Sequence, residues 1–481
     1  MQKHTLSKTN YLQFLACPEE LWLQKNRPDL IPKLGIDALH KIEQGNIIDQ
    51  LAKEWFEKGC MLKEELIDPA NVSFQLKVEK EGIVAIADIV VHHPTKKKHI
   101  RLFEVKSSTN LKKQHIHDIA FQKMVFEGCG YTVTDSYLVL VNKKYTHAGT
   151  IDHCELLDID KVTKEVEELK KSTKKEAKAA MEWIHGPIPK KQWTIDCPNK
   201  LKCPFLQYHY KNIPDYSIYD IANIRIKKIS KLLEEGVLNI QDVPKDFKLS
   251  KKQRLQVEIA QEDEIRIKSK AIKKELKELV YPLYFIDYES FSYVIPVQHQ
   301  YRPYQQLVFQ YSLHTQKTPD SPVEHSEYLL RAKDEPVENL VADMRKNIGD
   351  KGSLIVWNES FEKSRNKEMA ELYPTYASFL NSMNDRMFDL MKIFKKGYYG
   401  HPGFKGKNSL KSVLPTLCPD ISYKSLVIQN GNTAAIKWHH ATDERVSEEE
   451  ADKVFTDLLK YCHLDTLAMV KILGKVQQVV S

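Results

Sequence analysis

The sequence predicts a two-domain α/β protein whose domains are separated by a helical stretch. Three observations predict it. The chain has 481 residues, more than a single hydrophobic core usually serves. Strand-period and helix-period segments alternate twice, once before residue 185 and again after residue 283. Between them, residues 218–279 are helical in period and rich in lysine.

Apolar residues make up 42% of the chain and charged ones 28%, a balance that suits a folded globular protein and excludes a disordered one. The net charge of +7 is compatible with a polyanionic partner without requiring one. The first residues, MQKHTLSKTNYLQFLACPEELW, lack the basic-then-apolar order of a signal peptide. No later apolar run approaches the ~20 residues that span a bilayer. A cytoplasmic protein with no membrane partner is expected. Eight cysteines are too few for a disulfide scaffold. Cys60, Cys129, Cys154, Cys418 and Cys462 read as ordinary buried thiols, which sets the other three apart.

The elements follow in order. Ser7 is a candidate N-cap for one helix, or for two short ones around Pro18, and 45–56 is a second amphipathic helix. Residues 72–91 alternate as a hairpin, and the turn Lys96-Lys97-Lys98 leads to a strand over 100–106. A helix over 114–127, a strand over 136–141 and one long charged helix over 161–183 complete the unit. In the lysine-rich stretch, Ile229 to Val243 resembles a helix-hairpin-helix turn, and a helical linker with a solvated basic face fits the same residues. Strands follow at 283–286, 309–314 and 354–357, and 451–479 is mostly helical. The expected domains are 1–215, a linker over 216–280, and 281–481.

Phosphodiester hydrolysis needs hard cations held by carboxylates at strand ends, and two sets of residues suit that chemistry. Asp88 follows IVAIA, and the strand RLFEVK carries Glu104 and Lys106 on one face with Val105 on the other. A cross-strand charge pair is the plain alternative for the E-x-K triplet. Further on, YFIDYES places Asp287 and Glu289 on one face of a strand, where two carboxylates repel unless a cation lies between them. LIVWNESFEK then offers Asn358, Phe361 and Glu362, and YCHLDT puts Tyr461 and Asp465 one helical turn apart. Asp389, in FDLMKIF, reads as a core-edge residue or an extra acidic contact.

The order Asp88, Glu104-x-Lys106, then a helix with Gln122 resembles the PD-(D/E)XK nucleases of the RecB-like branch. The resemblance implies a restriction-endonuclease-like fold, with Asp88 and Glu104 as metal ligands and Lys106 and Gln122 as catalytic residues. That branch follows its glutamine with a tyrosine four residues on, where this chain has Phe126. Related nucleases place a histidine ligand on an early helix where this chain has Asp49, which stands as a ligand or as a helix-surface carboxylate. RecB-like nucleases with an iron–sulfur cluster carry one cysteine before the nuclease core and three after it. Cys17, Cys197 and Cys203 match, and the fourth position is His209. A [4Fe-4S] cluster is implied, and the Cys₃His set leaves open zinc or no metal. Its role would be to staple the N-terminal helix to the end of the domain.

The second set resembles the DEDD-type exonucleases of the RNase H-like class, in the subclass that bears a tyrosine. This implies Asp287, Glu289, Glu362 and Asp465 as ligands of Mg²⁺ or Mn²⁺, with Tyr461 orienting water. Glu362 stands where the wider class has aspartate. The blocks YRPYQQLVFQYSLH and GKNSLKSVLP resemble the domain of unknown function 2779, which recurs C-terminal to RecB-like nucleases. The whole implies a metal-dependent nuclease acting on DNA, single strands or ends first, in DNA repair or mobile-element defence. An RNA-processing exonuclease and a nucleic-acid-binding scaffold with one inactive site are the alternatives.

Overall fold

The structure, a computed structural model, describes residues 4–59, 61–62, 65–187, 203–205, 208 and 213–481. It is mixed α/β, with several sheets, and divides into two units. The first comprises Met1–Lys211 and Tyr293–Gln305, the second Asn212–Ser292 and Gln306–Ser481. Among the described residues no helix is long and apolar enough to cross a membrane.

The first unit opens with a two-residue strand β1 (Leu6–Ser7), then α1 (Lys8–Ala16) and α2 (Pro18–Asn26). Ser7 caps α1 in a reciprocal box with Asn10. Pro18 has no N–H to continue α1 and instead takes the first turn of α2, so the segment forms two short helices. After α3 (Ile36–Glu57) come the hairpin β2 (Val72–Lys80) and β3 (Ile83–His92), then β4 (His99–Val105). Glu81 and Gly82, with φ of 53° and 79°, make the hairpin turn. Strand β4 lies antiparallel to β3 and parallel to β5 (Thr132–Val141), and the crossover between β4 and β5 is α4 (Lys113–Gly128). Strand β6 (Leu157–Lys161) closes the sheet.

The charged stretch expected as one helix over 161–183 is broken at Leu169, giving α5 (Thr163–Glu168) and α6 (Lys170–His185). The two serve different cores. Val166 packs with Ile116, Ile119 and Leu138, whereas Ala177, Ala180 and Ile184 pack with Leu6, Tyr11 and Phe121. A straight helix could not face both.

The stretch expected as a linker belongs to the second unit and has a core of its own. Ile218, Ile221, Ile229, Leu232, Ile240 and Val257 pack together there. It holds α7 (Ile226–Glu234), α8 (Lys251–Glu262) and α9 (Ser269–Leu276). Gly236 takes φ 78° after α7, as a helix-hairpin-helix turn would need, but Ile240–Asp242 makes only one 3₁₀ turn. Pro244 disfavours helix at Val243, so the second helix of such a motif does not form there.

The main sheet of the second unit runs in the order β9-β8-β7-β10-β11. Its strands are β7 (Leu283–Ser292), β8 (Gln306–Gln316), β9 (Val323–Leu329), β10 (Ser353–Val356) and β11 (Met387–Asp389). The first three pair antiparallel, while β10 and β11 run parallel to β7. Strand β7 extends well past Ile286, and its register against β8 shifts between Glu289 and Ser290. Helices α10 (Val337–Asn347), α11 (Glu359–Leu372) and the 33-residue α12 (Glu448–Val480) complete the parts that position the site.

Of the cysteines expected to be buried, Cys418 and Cys462 are, Cys129 is half-buried and Cys154 is exposed. Cys60 lies outside the described residues.

Candidate metal centres

In the first unit, Asp88 sits on β3 opposite Gln75, whose neighbours Phe74 and Leu76 pair with Ile89 and Ala87. Gln75 is held in the left-handed region, φ 51°, a conformation that costs a non-glycine residue ~1–3 kcal/mol and recurs at functional positions. Its Nε2 donates to Asp49 Oδ2 and to Asp88 Oδ1, each at 3.5 Å. Asp49, on α3, is thereby brought to the site. Asp88 Oδ2 also accepts the Val105 N–H at 2.9 Å.

Glu104 is the centre of this site, 1% exposed. Lys106 bonds it from two residues along the strand and reaches Asp118 Oδ2 at 2.6 Å. Gln122 Nε2 donates to Glu104 Oε2 at 2.5 Å and to Asp118 Oδ1 at 3.1 Å. Lys8, from the first turn of α1, lies 2.6 Å from Glu104 Oε1 and 3.5 Å from Asp118 Oδ1. All five residues predicted here, Asp49, Asp88, Glu104, Lys106 and Gln122, are therefore gathered. Lys8, Gln75 and Asp118 join them unpredicted. Asp118 was legible, since it lies one helical turn before Gln122 on the same face. Phe126, a further turn on, is fully buried in the core rather than at the site.

Burial opposes ionisation of Glu104, but the Lys106 and Lys8 ammoniums overcome it and hold the carboxyl well below its usual range. Its neighbours move the other way. Burial and the Glu104 charge push Asp88 up to about 8 and Asp118 to about 6. Four carboxylates thus share two ammoniums. They do not converge on one point, for no three of them bring ligand oxygens within 4.8 Å of one another.

The second unit is arranged differently. Asp287 and Glu289 on β7 and Asp465 on α12 bring carboxylate oxygens within 4.8 Å of one another. Burial drives all three upward, joined at Asp287 and Glu289 by the charge of the neighbouring carboxylates: Asp287 well above the usual carboxylate range, Glu289 to about 8 and Asp465 to about 6. Glu362, in the first turn of α11, stands beside this set without being part of it. It is 3% exposed, and its Oε2 is buried with no hydrogen-bond partner among the described residues. Burial and Asp389 push it to about 8. Asp389 itself accepts the Asn358 and Met391 N–H groups at 3.1 Å, so it ties the β10–α11 turn to β11.

Three further groups line this site. Tyr461, one turn before Asp465, accepts from Lys411 Nζ at 3.0 Å and bonds Asp465. Tyr423 donates to Asp465 Oδ1. Lys411 lies over both tyrosine rings, at 5.0 and 5.3 Å from their centroids, and its charge lowers Asp287, Glu289 and Asp465 against the larger effect of burial. Opposite Glu289 the backbone comes close, since a Cβ at Gly431 would lie 3.3 Å from Glu289 Oε2. Lys411 and Tyr423 were not predicted, because nothing in their local spacing ties them to carboxylates over 40 residues away. A hard divalent cation fits the donor set here: oxygen ligands only, buried, and mutually repelling without one.

Of the cysteine set, Cys197 and His209 lie outside the described residues. Cys17 ends α1 and starts α2, with its Sγ 3.6 Å from Glu19 Oε2. Cys203 packs against Trp22, Leu23 and Phe205. Both therefore border α2, which also holds Gly186 O through the Trp22 indole N–H at 3.1 Å.

Residues 284–409 match the model of a domain of unknown function (DUF2779). That stretch includes Asp287, Glu289 and Glu362 and ends before Lys411, Tyr461 and Asp465. An uncharacterized protein of Mycoplasma genitalium is 29% identical over 218 residues, which is 41% of this chain and 32% of that protein. Its Mycoplasma pneumoniae homolog is 27% identical over 224 residues, 43% of this chain and 33% of that one. An uncharacterized protein of Ureaplasma parvum is 30% identical over 136 residues, 25% and 20% of the two chains. The chain thus spans about a third or less of the length of these curated relatives.

Proposed function

We propose that the chain is a divalent-metal-dependent nuclease that hydrolyses phosphodiester bonds of DNA, single strands or ends first, with its cutting site at Asp287, Glu289, Glu362 and Asp465. One observation carries this reading: three carboxylates, Glu289 and Asp465 buried and Asp287 half-buried, converge within 4.8 Å, all displaced upward by burial and two of them also by their neighbours' charge. Groups kept at such a cost are common at catalytic sites. The strand order of the second unit, three antiparallel strands followed by two parallel ones across β7, suits an RNase H-like layer. In the first unit, a helix, three antiparallel strands, a crossover helix and a parallel strand suit a restriction-endonuclease-like core.

Bound Mg²⁺ or Mn²⁺ would supply charge to the phosphate oxygens and lower the pKa of water. The chain's own groups do the rest. Asp287, Glu289, Asp465 and Glu362 offer the oxygen ligands. Tyr461, pushed far above its ordinary range by burial and by Asp465, stays a phenol and presents a fixed O–H for orienting water. Lys411 Nζ, held on Tyr461 Oη, is the cation placed to meet the scissile phosphate. The fit of a cation to the first site is poorer, because Lys8 and Lys106 already occupy Glu104 Oε1. That observation favours a second reading in which the first site grips nucleic acid and does not cut.

The test is hydrolysis of single- and double-stranded DNA and RNA by the purified chain with Mg²⁺ or Mn²⁺. Asp287→Ala should remove at least ~10³-fold of the activity, a loss in keeping with groups that act on the reacting atoms. Lys106→Ala should leave the rate within about tenfold on the second reading and abolish one component of it if both sites cut. Intact substrates under every condition, with retained gel shifts, would make the chain a binding scaffold.

A further inference from the structure

Three histidines of the second unit meet where the last long helix crosses the sheet. His314 on β8 pairs directly with His325 on β9, and α12 lays His463 over both. The rings stand 4.5, 4.8 and 4.3 Å apart, centre to centre, and one ring nitrogen of each lies within 4.8 Å of the others. We propose that His314, His325 and His463, with Glu327 as a fourth ligand, form a site for a borderline first-row cation such as Zn²⁺, separate from the acidic centre. The proposal goes beyond the nuclease reading and does not depend on it.

Hydrogen bonding prepares the rings for this. Thr466 Oγ1 lies 3.1 Å from the His463 carbonyl, which takes its proton, so it accepts from His314 Nδ1 at 2.8 Å. His314 Nε2 is then the nitrogen with a lone pair to give. Fixing the tautomer of a ligand histidine through its other nitrogen is the usual arrangement at metal sites. Ser312 Oγ joins the network, 2.8 Å from Thr466 Oγ1 and 2.9 Å from His325 Nε2. Burial first, then the neighbouring rings, keeps His314 at about 3 and His325 at about 4, so both are neutral.

Glu327 is the independent sign of a missing partner. Its Oε2 lies 3.8 Å from His325 Nε2 and is buried with no hydrogen bond among the described residues. Three imidazoles and one carboxyl make a nitrogen-rich set that suits zinc better than magnesium. Bonds of ~2.0–2.1 Å need ligand nitrogens roughly 3.4 Å apart, which modest ring rotations from the present spacing reach. Access exists: His325, Glu327 and His463 line an open cavity of about 620 Å³ with Asp420 and Ser422.

The experiment uses the full chain, stripped of metal and reloaded with Zn²⁺, counting bound equivalents after gel filtration. The paired variant His325→Gln/His463→Gln should hold one equivalent fewer than the parent, with affinity for that equivalent down on the order of 100-fold or more. Asp287→Asn/Glu289→Gln should hold as many as the parent. An unchanged count in the histidine pair, or a loss confined to the acidic pair, overturns the proposal. Should the histidine pair fail to fold, histidine acylation of the parent read by peptide mass spectrometry decides. Zinc should then protect His325 and His463, and equal labelling with and without zinc overturns the site.

Discussion

The two acidic centres use similar residues, but only the first holds a carboxyl that is driven down. Around Glu104, Lys8 and Lys106 supply the opposing charge from within the chain, and Glu104 is driven down. Around Asp287 one lysine, Lys411, faces a tighter group of carboxylates, and every one of them is driven up. A carboxylate motif in a sequence is the same in both cases. Whether it awaits a cation depends on which ammonium the fold delivers to it, and Lys8 comes from a helix 96 residues away.

Deleting one carboxylate from each centre should have the largest effects, of opposite sign. Glu104→Ala leaves two half-buried ammoniums short of their main partner and should cost about 2–4 kcal/mol, read as a lower urea midpoint. A change under about 1 kcal/mol would mean the lysines are already solvated. Asp287→Asn, at pH 8 in chelator, should have the opposite sign and stabilise by ~0.5–2 kcal/mol while removing activity. Destabilisation there would show that the second centre is not strained by its own charge.

The pH dependence sharpens the same contrast. Glu289 and Glu362 titrate near 8 in the folded chain against an ordinary value of 4.5, and Asp465 near 6 against 3.8. The folded state therefore binds more protons than the unfolded one, and stability is lost as pH rises from about 4.5 to 8. Glu104 does the reverse: its contribution is present above 4.5 and disappears as pH falls through its depressed value. Asp88, near 8, and Asp118, near 6, behave as the second centre does, so above about pH 4.5 the first unit also loses stability as pH rises. Hydrogen exchange in chelator should then show β7 losing protection between pH 6 and 8, with Mn²⁺ restoring it. Protection in β7 that stays constant with pH would contradict the upward shifts. The smallest effect concerns Phe126. Phe126→Tyr restores the hydroxyl of the resembled motif but places it in a fully buried core, at a cost of ~1–3 kcal/mol and with no gain in activity.

What was legible in the sequence was local. Glu104 with Lys106, Asp287 with Glu289, and Tyr461 with Asp465 are set by the periods of a strand or a helix, and each pair lands on one face as its spacing requires. Asp49 needed the whole first unit to reach Asp88, and it does so through Gln75, whose left-handed backbone no spacing announces. Lys8, Lys411 and the three histidines were missed for the same reason: their partners are fixed by sheet pairing and helix docking rather than by distance along the chain. The break at Leu169 escaped notice because helical period records that one face is apolar, not that two cores lie at an angle.

The division of the chain has a bearing on how it is made. Val294 and Ile295 pack among the buried residues of the first unit, the Val294 N–H reaches Gln44 at 3.1 Å, and Tyr304 bonds the Ser107 carbonyl next to Lys106. During synthesis these residues leave the ribosome about ninety residues after the first unit's own continuous stretch is complete. Until then that unit waits with part of its core uncovered, so its last step of folding follows the emergence of β7, the strand bearing Asp287 and Glu289. A chain stopped at residue 215 should reach the sheet but expose apolar surface beside Lys106, and a chaperone following the nascent protein should let go only after residue 305.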